Sequence, residues 1–493
     1  KKGETGWSGT NDYSLTAFFD LSNTSFYSLK IRKAITAFCC NMIVQLPFDS
    51  PELKYTLDVL LRHLLGLDFE IKMTPGESHA VKVVLQNGKH LSMEVDPWLA
   101  NPRYDKGQIP TAVTWFQQSN NAFIPEHDLP ILYGKAKLTV SPNKIDLRAD
   151  VLNSSFFMLS RWEEYVMEER DQYGRFPANA ALSVKSGFYQ RPIVEEYAEM
   201  LWNMLVFLGV DQARKQWSFR FIPTHDIDNP RKWRGFHTLL RTLGGDLIKR
   251  RSLGLARRSW TSFWRTWNEK ENDPYDSFDY LMDCSERYGW QAHFFFHCGG
   301  SHPLDREALP PSHPIVRQIL EKIDARSHSI GFHPSYEAHT AEDRFKEELE
   351  LLRQHAPQEV KCGRQHFLRF EIPTTWRLWA DAGLAWDSTM VYPEEAGFRC
   401  GICREFPVFD IGRRKMLPLL EIPLTLMEGS WMRYNPKPPD RFFEDYRQLI
   451  EVVKKYNGTF VLLWHNSTLG FHPESENRKL YERVLSFAAE SAS

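Results

Sequence analysis

The second half of the chain repeats one pattern: a short run of β-branched and aromatic residues, then a segment with helical spacing. This alternation predicts βα units around a parallel sheet, because parallel strands need a crossover that a helix usually provides. Seven runs have this character, at 217–222, 291–296, 329–332, 360–363, 384–386, 419–422 and 459–464. We therefore predict an α/β fold whose functional residues follow the carboxyl ends of the strands.

The first half of the chain has a mixed pattern. Residues 52–65 place leucines at helical spacing, and apolar residues alternate on both sides of Asn87-Gly88, which predicts a β-hairpin. A further helix is expected to begin at Pro192 and to end at Gly209. Three segments are predicted: a loose leader at 1–28, a smaller α+β accessory domain at 29–212 and the βα domain at 213–493.

Composition narrows the classes of function. Lys and Arg total 61 against 63 for Asp and Glu, so the formal net charge is −2. General electrostatic attraction to nucleic acid is therefore not expected. Hydrophobic residues make up 42% of the chain, but the longest apolar stretches are shorter than the roughly 20 residues of a membrane span. These values are typical of a globular protein large enough to be an enzyme.

The number and spacing of the cysteines indicate the redox state of the cellular compartment in which the protein folds. Seven cysteines are spread thinly over the chain, and this odd number favours a reducing, cytoplasmic environment over export. The first residue is Lys1 rather than methionine, so removal of an export signal is the alternative. Cys400 and Cys403 have the spacing of half a zinc knuckle, but no second pair accompanies them, so no metal site is expected there.

Polar side chains follow most of the predicted strands. Asp226 and Asp228 are two residues apart, so both carboxylates project from the same side of a strand into one pocket. Like charges this close repel unless a cation holds one of them ionised. His333 follows another strand, and imidazole with carboxylate is a ligand set of zinc and related divalent ions. His465, at the end of a third strand, suits a general acid.

Four motifs occur in an order and spacing similar to those of a known family: Thr-His-Asp-Ile-Asp at 224–228, Phe-His-Pro-Ser at 332–335, Gly-Arg-Gln-His at 363–366 and Leu-Leu-Trp-His at 462–465. From residue 217 onward the chain resembles the polysaccharide deacetylases, carbohydrate esterase family 4. This resemblance implies a distorted (β/α)7 barrel that removes N- or O-linked acetyl groups from a sugar polymer or glycan. Such an enzyme is a hydrolase of carbon–nitrogen bonds other than peptide bonds, and it uses a divalent metal, usually zinc.

The resemblance also implies roles for single residues. Asp226 falls on the general base, and Asp228 falls on a metal ligand, with Ile227 between them. Arg364 matches the arginine that orients the catalytic aspartate, although Gln365 and His366 replace the prolines that normally follow it. His465 matches the terminal histidine that acts as the acid.

The third metal ligand is where the chain departs from the family pattern. His333 matches the first histidine of the family's second motif, but Glu337 stands where the second histidine belongs. Pro334 favours a loop rather than a helix after His333. In a loop the six-residue spacing to His339 is no obstacle, and imidazole is a better zinc ligand than a solvated carboxylate. We therefore expect His339 rather than Glu337, with His366 as an outside candidate.

Two other functions stay open at this point. The altered second and third motifs also suit a barrel that has lost catalysis and binds carbohydrate without turnover. The Asp and His set also permits a metal-dependent phosphoesterase, but such an enzyme would require more basic residues at the strand ends than Arg364. Metal content separates the first alternative from an active deacetylase.

A basic and aromatic insertion follows the first motif. Residues 231–265 contain ten Lys and Arg against one acidic residue, Asp246, and tryptophans and phenylalanines are interleaved with them. Such a segment can lie on an anionic membrane surface or bind an acidic glycan, and a solvated basic arm is the alternative.

Overall fold

Strands in the first half of the chain alternate buried and half-exposed residues, as expected for a sheet with one face on the core. The strands are β1 (Ile43–Leu46), β2 (Glu70–Met73), β3 (Ala80–Val84), β4 (His90–Glu94), β5 (Thr114–Gln117), β6 (Asp128–Ile131), β7 (Gly134–Ser141) and β8 (Lys144–Ala149). Six of them form a mixed sheet in the order β2-β1-β3-β4-β8-β7, and β5 pairs with β6. The predicted hairpin is confirmed, since Val83 pairs with Leu91 in antiparallel register.

Five helices pack with this sheet: α1 (Pro51–Leu57), α2 (Val151–Ser160), α3 (Trp162–Val166), α4 (Leu182–Lys185) and α5 (Ile193–Leu208). The helix expected over 52–65 is present, but its second half, Asp58–Leu64, is wound as a π-helix. The predicted stop at Gly209 is confirmed: this residue has φ 84°, a left-handed conformation that favours glycine at the end of a helix.

The second half of the chain forms a nine-stranded sheet that is mainly parallel. Its strands are β9 (Arg220–Ile227), β10 (His293–His297), β11 (Ser329–His333), β12 (Cys362–Gly363), β13 (Trp386–Asp387), β14 (Phe406–Asp410), β15 (Lys415–Glu421), β16 (Leu426–Met427) and β17 (Thr459–Leu463). They are ordered β14-β15-β13-β12-β11-β10-β9-β17-β16, and β14 alone is antiparallel to its neighbour. Each of the seven predicted runs overlaps one strand, which confirms the α/β class.

The nine-stranded sheet is strongly curved. Phe295 of β10 and Trp386 of β13 lie three strands apart, which is roughly 14 Å in a flat sheet, yet their ring centroids are 5.9 Å apart. The sheet nevertheless does not close, because β14 and β16 each have one neighbour within the part of the chain that the structure describes. β16 is only two residues long, so it offers little backbone for a further pairing. The closed form of the predicted barrel is therefore not observed.

The described part of the second half also contains eight α-helices. They are α6 (Phe236–Gly244), α7 (Leu253–Trp267), α8 (Phe278–Glu286), α9 (Pro314–Ala325), α10 (Glu342–His355), α11 (Thr374–Asp381), α12 (Pro439–Lys455) and α13 (Glu476–Glu490). Two π-helical turns, Gly245–Lys249 and Ser430–Tyr434, follow α6 and β16. This computed structural model describes residues 42–76, 79–100, 108–470 and 476–490, so the predicted leader at 1–28 lies outside the described residues.

A buried ion-pair network joins the two halves of the chain. Arg399 donates from Nη2 to Glu164 Oε2 at 2.5 Å, and Arg161 donates from Nε to Glu164 Oε1 at 2.8 Å. Burial acts to raise the pKa of Glu164, but the two guanidinium groups outweigh burial and lower the pKa to about 2. The carboxylate is thus charged and fully paired. Segments that precede and follow β9 in the chain are therefore held together by charge as well as by apolar packing.

A pair of buried acids on neighbouring strands provides a test of this core. Asp387 and Glu421 are register partners, and burial raises the pKa of Glu421 well above its usual range. The fold therefore favours the protonated pair, and its stability should decline as pH rises above the value for an unfolded glutamate, about 4.3. In Glu421→Gln we expect a flatter dependence of unfolding free energy on pH between about 5 and 8.

Urea unfolding at several pH values measures this difference. The amide of the variant mimics the protonated acid, since it can still accept from Trp376 Nε1, which lies 3.0 Å from Glu421 Oε2. Glu347→Gln, on the exposed face of α10, is the matched control and should keep the wild-type slope. Equal slopes for wild type and Glu421→Gln would show that Glu421 does not hold the proton.

Candidate functional site

A cleft opens at the carboxyl ends of the parallel strands. It has a volume of about 380 Å³, and its wall includes Asp226, Asp228, His333, His366 and His465. These residues come from four different strands or the turns that follow them, as expected where parallel strands end at one edge of a sheet. Of the predicted site residues, Asp226, Asp228, His333 and His465 line the cleft, and Arg364 lies directly behind it.

Side chains alternate between the two faces of β9, and this alternation places both aspartates on the same face. Asp226 is inside the strand and Asp228 is the first residue after it, so both side chains face the cleft as predicted. His225 lies on the opposite face, where its Nδ1 contacts the carbonyl oxygen of Trp464 at 2.7 Å and its ring packs on Phe294. Its role is structural.

Asp228, His333 and His366 form a trio that can hold a metal ion. Asp228 Oδ1 is buried and lacks a hydrogen-bond donor among the described residues. It lies 3.2 Å from His333 Nε2 and 3.7 Å from His366 Nε2. Burial acts to raise the pKa of Asp228, but the surrounding imidazoles, in their protonated form, hold this pKa well below the usual range. One carboxylate and two imidazoles are an ordinary ligand set for zinc.

Hydrogen bonds fix the orientation of both imidazoles in the trio. His333 Nδ1 donates to the carbonyl oxygen of Arg364 at 2.6 Å, and His366 Nδ1 donates to Asp305 Oδ1 at 3.0 Å. Each bond leaves the lone pair on Nε2 directed toward Asp228, which is the tautomer that a metal requires. The residues present therefore fit a divalent cation.

Asp305 is the centre of a second group of buried polar residues behind His366. Its Oδ1 also accepts from His297 Nε2 at 3.0 Å and from the backbone N–H of Tyr336 at 3.1 Å. Burial lowers the pKa of His297 to about 4, so this imidazole is neutral and donates through Nε2 alone. Gly300 makes room for Asp305, since a Cβ at this position would lie 2.3 Å from Oδ2. Asp305 thus orients His366.

The structure places the expected third ligand, His339, outside the trio. His339 belongs to neither group of clustered ligand atoms found among the described residues. Burial and nearby Arg369 lower the pKa of His339 to about 4. Glu337 points to solvent and pairs with Arg344 at 2.6 Å. His366, the outside candidate, lies in the trio, because it follows β12, the neighbour of β11 in the sheet.

Arg364 holds the carboxylate that faces the trio. Its Nη1 donates to Asp226 Oδ1 at 2.8 Å, while Nε donates to the carbonyl oxygen of Ser388 at 2.6 Å. Asp226 Oδ2 is left facing His333 Nε2 at 3.8 Å. One oxygen of Asp226 is therefore fixed by a buried cation, and the other is presented to the cleft beside the trio.

His465 lies on the other side of Asp228 and has its own carboxylate partner. Its Nδ1 donates to Glu428 Oε1 at 2.7 Å, and its Nε2 lies 3.9 Å from Asp228 Oδ2. Burial acts to lower the pKa of His465, but Glu428 outweighs burial and raises the pKa to about 9. The imidazole is therefore charged at neutral pH and carries a proton into the cleft.

A strained turn connects the trio to the first half of the chain. Phe367 and Leu368 both adopt left-handed backbone angles, with φ 58° and 55°, which are unfavourable for such residues. The carbonyl oxygen of Phe367 accepts from Arg175 Nη1 at 3.1 Å, and its ring packs on Tyr173 with centroids 5.2 Å apart. Arg175 also lines the cleft. The segment around 171–175 therefore clamps the turn that carries His366.

The sequence analysis assigned no role to four residues of this site: His297, Asp305, Glu428 and Arg175. Two of them had a signal that could have found them, because His297 and Glu428 follow short apolar runs in the same way as His333 and His465. Asp305 lies in a connection and Arg175 lies far earlier in the chain, so no local pattern points to either.

Comparison with known families gives a match in the first half of the chain. A family model described as a family of unknown function, DUF7033, matches residues 42–209. No curated protein matches this chain. The matched segment includes Arg175 and Tyr173, which clamp the turn beside the cleft.

Solved structures similar to this chain include two from one enzyme class. One is a protein from Mycobacterium smegmatis assigned as a polysaccharide deacetylase, with 16% sequence identity, a TM-score of 0.36 and coverage of 57% of this chain and 85% of that chain. Another is a mutant of a carbohydrate esterase family 4 pseudoenzyme with restored enzymatic activity, with 11% identity and a TM-score of 0.27. That similarity covers 56% of this chain and 64% of the other.

Proposed function

We propose that this chain is a metal-dependent hydrolase that removes N- or O-linked acetyl groups from a polysaccharide or glycan. The observation that carries the proposal is the arrangement around Asp228 Oδ1: two imidazole Nε2 atoms are directed at this buried, unpartnered oxygen. A tethered carboxylate, Asp226, and a charged imidazole, His465, flank the trio on separate sides. A base, an acid and a cation site are the three elements that metal-assisted acyl hydrolysis requires.

The residues of the chain divide the proton transfers between them. Asp226, whose Oδ1 is held by Arg364, takes a proton from the attacking water at its free Oδ2. His465 gives its Nε2 proton to the departing amine or alkoxide as the acyl bond breaks, and Glu428 stabilises the charged imidazole until then. Asp228, His333 and His366 would hold the cation. When bound, a divalent ion supplies Lewis acidity to the acetyl carbonyl and to water.

Two rival functions make different demands on the same residues. A barrel that only binds carbohydrate would need neither a free general base nor a charged acid, yet both face the cleft. A phosphoesterase would need cations for the phosphoryl oxygens, and Arg364 is already used by Asp226 and Ser388. Arg175 is paired with Asp171 at 2.7 Å, so Arg433 is the arginine of the cleft wall that is left for such a role. The geometry therefore favours acetyl hydrolysis over both.

Acetate release from acetylated chitooligosaccharide and acetylated xylan, measured with the zinc-loaded chain, tests the proposal. We expect turnover that a chelator abolishes and added zinc restores. Zinc binding at the trio without acetate release from any acetylated glycan would favour the carbohydrate-binding alternative. Phosphate release from an aryl phosphate in place of acetate would favour the phosphoesterase.

The proposed function includes a domain organisation. We propose that 213–493 form a distorted, open (β/α)7 barrel and that the predicted segment 29–212, whose described part begins at residue 42, is an α+β accessory domain. The curvature of the sheet supports the first statement, and the separate six-stranded mixed sheet β2-β1-β3-β4-β8-β7 supports the second. Because Arg175 donates to Phe367, the accessory domain would complete the wall of the cleft.

A further inference from the structure

Helices α6 and α7, with the π-helical turn between them, form a hairpin over residues 236–267, which we call the basic hairpin. Its own apolar core is small, consisting of Trp233, Leu239 and Phe263 with Leu243 packed against them. Large apolar side chains are instead exposed along both helices and at the tip of the hairpin: Phe236, Leu240, Leu247, Ile248, Leu253, Leu255, Trp260, Trp264 and Trp267. An exposed apolar patch of this extent marks an interaction surface.

The exposed apolar residues of α7 form one stripe. Leu253, Trp260, Trp264 and Trp267 are separated by seven, four and three residues, so they share a face at 3.6 residues per turn. The buried residues of the helix, including Ala256 and Phe263, lie on the adjacent face. The stripe is therefore not the face by which α7 packs on the hairpin core.

Unpaired basic residues accompany this stripe. Lys249, Arg251, Arg257 and Arg258 form no ion pair with any residue in the described part of the chain. Asp246, the one acid of the segment, is already paired with Arg250 at 2.6 Å. The surface thus combines exposed apolar groups with uncompensated positive charge.

We propose that the basic hairpin binds the surface of an anionic lipid bilayer. The tip carries the two most exposed aliphatic side chains of the segment, Ile248 at 77% and Leu253 at 80%. Aliphatic groups at a tip suit insertion among acyl chains, whereas a glycan would be bound by flat aromatic stacking and hydrogen bonds. Lys249 and Arg251 beside the tip match anionic headgroups in charge.

The binding is peripheral. No helix in the residues that the structure describes is both long and apolar enough to cross a bilayer. The hairpin begins eight residues after Asp228, so it follows the same strand, β9, that precedes the carboxylate of the candidate metal trio.

Flotation of the full chain with vesicles tests the proposal. We expect binding to vesicles of phosphatidylcholine with one quarter phosphatidylglycerol, and binding at least about tenfold weaker to pure phosphatidylcholine. The variant Ile248→Asp/Leu253→Asp should weaken binding to the anionic vesicles at least about tenfold, since two exposed aliphatic groups are lost. Raising salt to 0.5 M should weaken binding of the wild type by screening the basic residues.

Matched variants distinguish lipid binding by the basic hairpin from a general effect of changing apolar or basic residues on the protein surface. Val206→Asp/Met416→Asp removes two apolar residues that are 51% and 46% exposed outside the hairpin, and it should bind as wild type does. Arg251→Glu/Arg257→Glu/Arg258→Glu should lose anionic selectivity, whereas Lys72→Glu/Lys135→Glu/Lys137→Glu should keep it. Thermal unfolding checks that every variant is folded.

Three results would overturn the proposal. They are equal binding to both kinds of vesicle, equal losses in the hairpin and control variants, and failure of the wild type to float.

Two other results would identify a different occupant of the basic hairpin. If the wild type instead binds heparin, and Arg251→Glu/Arg257→Glu/Arg258→Glu abolishes that binding, the occupant is an acidic glycan. If light scattering shows a dimer that Ile248→Asp/Leu253→Asp dissociates, the occupant is a second copy. Because the readout is lipid binding, none of these results depends on whether the chain releases acetate.

Discussion

Replacing Asp226 by Asn is expected to lower acetate release by about 10³-fold while the zinc content stays near that of wild type. The amide has the same shape, and its oxygen can still accept from Arg364 Nη1 in place of Oδ1. It cannot take a proton from water, however, so the chemical step alone is lost. Turnover of an acetylated oligosaccharide and zinc bound per chain, measured on the same preparation, test the two statements.

Asp410→Asn is the matched control for Asp226→Asn. Asp410 is a buried aspartate that accepts two hydrogen bonds from Arg377, at 2.8 and 2.9 Å, so the control also changes a carboxylate held by a guanidinium. It lies outside the cleft and should keep turnover within about threefold of wild type. Loss of zinc in Asp226→Asn would identify Asp226 as a ligand, and near-normal turnover would place the base elsewhere.

Removing an imidazole from the trio is expected to abolish tight metal binding. We expect His333→Ala and His366→Ala each to weaken zinc affinity by more than about 100-fold, because each removes a ligand from a set of three. Competition with a chromogenic chelator measures the affinity directly. The expected loss for His366→Ala is the critical one, since the sequence favoured His339 in that place.

His339→Ala is the matched control and should bind zinc as wild type does. Its imidazole is buried like that of His366 but lies outside the trio. Loss of affinity in His339→Ala with none in His366→Ala would restore the original sequence prediction. If none of the three substitutions weakened binding, the trio would not be a metal site, and the carbohydrate-binding alternative would be the better interpretation.

A substitution at Asp305 is expected to cause a smaller loss of zinc affinity than the removal of an imidazole. Asp305→Asn keeps the size of the side chain but weakens the acceptor that orients His366 through Nδ1. Partners that orient a metal ligand typically contribute about 10- to 100-fold to metal affinity. We expect a loss in that range, smaller than for His366→Ala, and an unchanged affinity would show that the turn after β12 alone orients the imidazole.

The strands and the polar residues at their carboxyl ends could be predicted from the sequence, because each depends on a pattern within one short segment of the chain. The run 460–464 is apolar at every position, which is typical of a strand buried on both sides of a parallel sheet. Alternation with period two then determines that Asp226 and Asp228 share a side. Parallel strands end at one edge, so the meeting of Asp226, His333 and His465 followed from topology rather than from any detail of packing.

The third residue of the trio could not be predicted from a local pattern in this way. His339 is close to His333 in sequence, but the turn after Pro334 takes its ring away from the cleft. His366 arrives from the next strand, on a turn with two left-handed residues that no sequence rule predicts. The clamp on that turn is Arg175, which is 192 residues from Phe367.

The sequence by itself thus determined the α/β class, the order of the strands along the chain and the residue types at their carboxyl ends. These depend on periodicity and on apolar burial, which each segment carries within itself. Only the tertiary structure decided which imidazole completes the trio, which acids orient His366 and His465, and that the first half of the chain reaches the cleft. Those choices depend on differences of a few ångströms between residues distant in the chain, and a contact of that kind leaves no pattern in either segment alone.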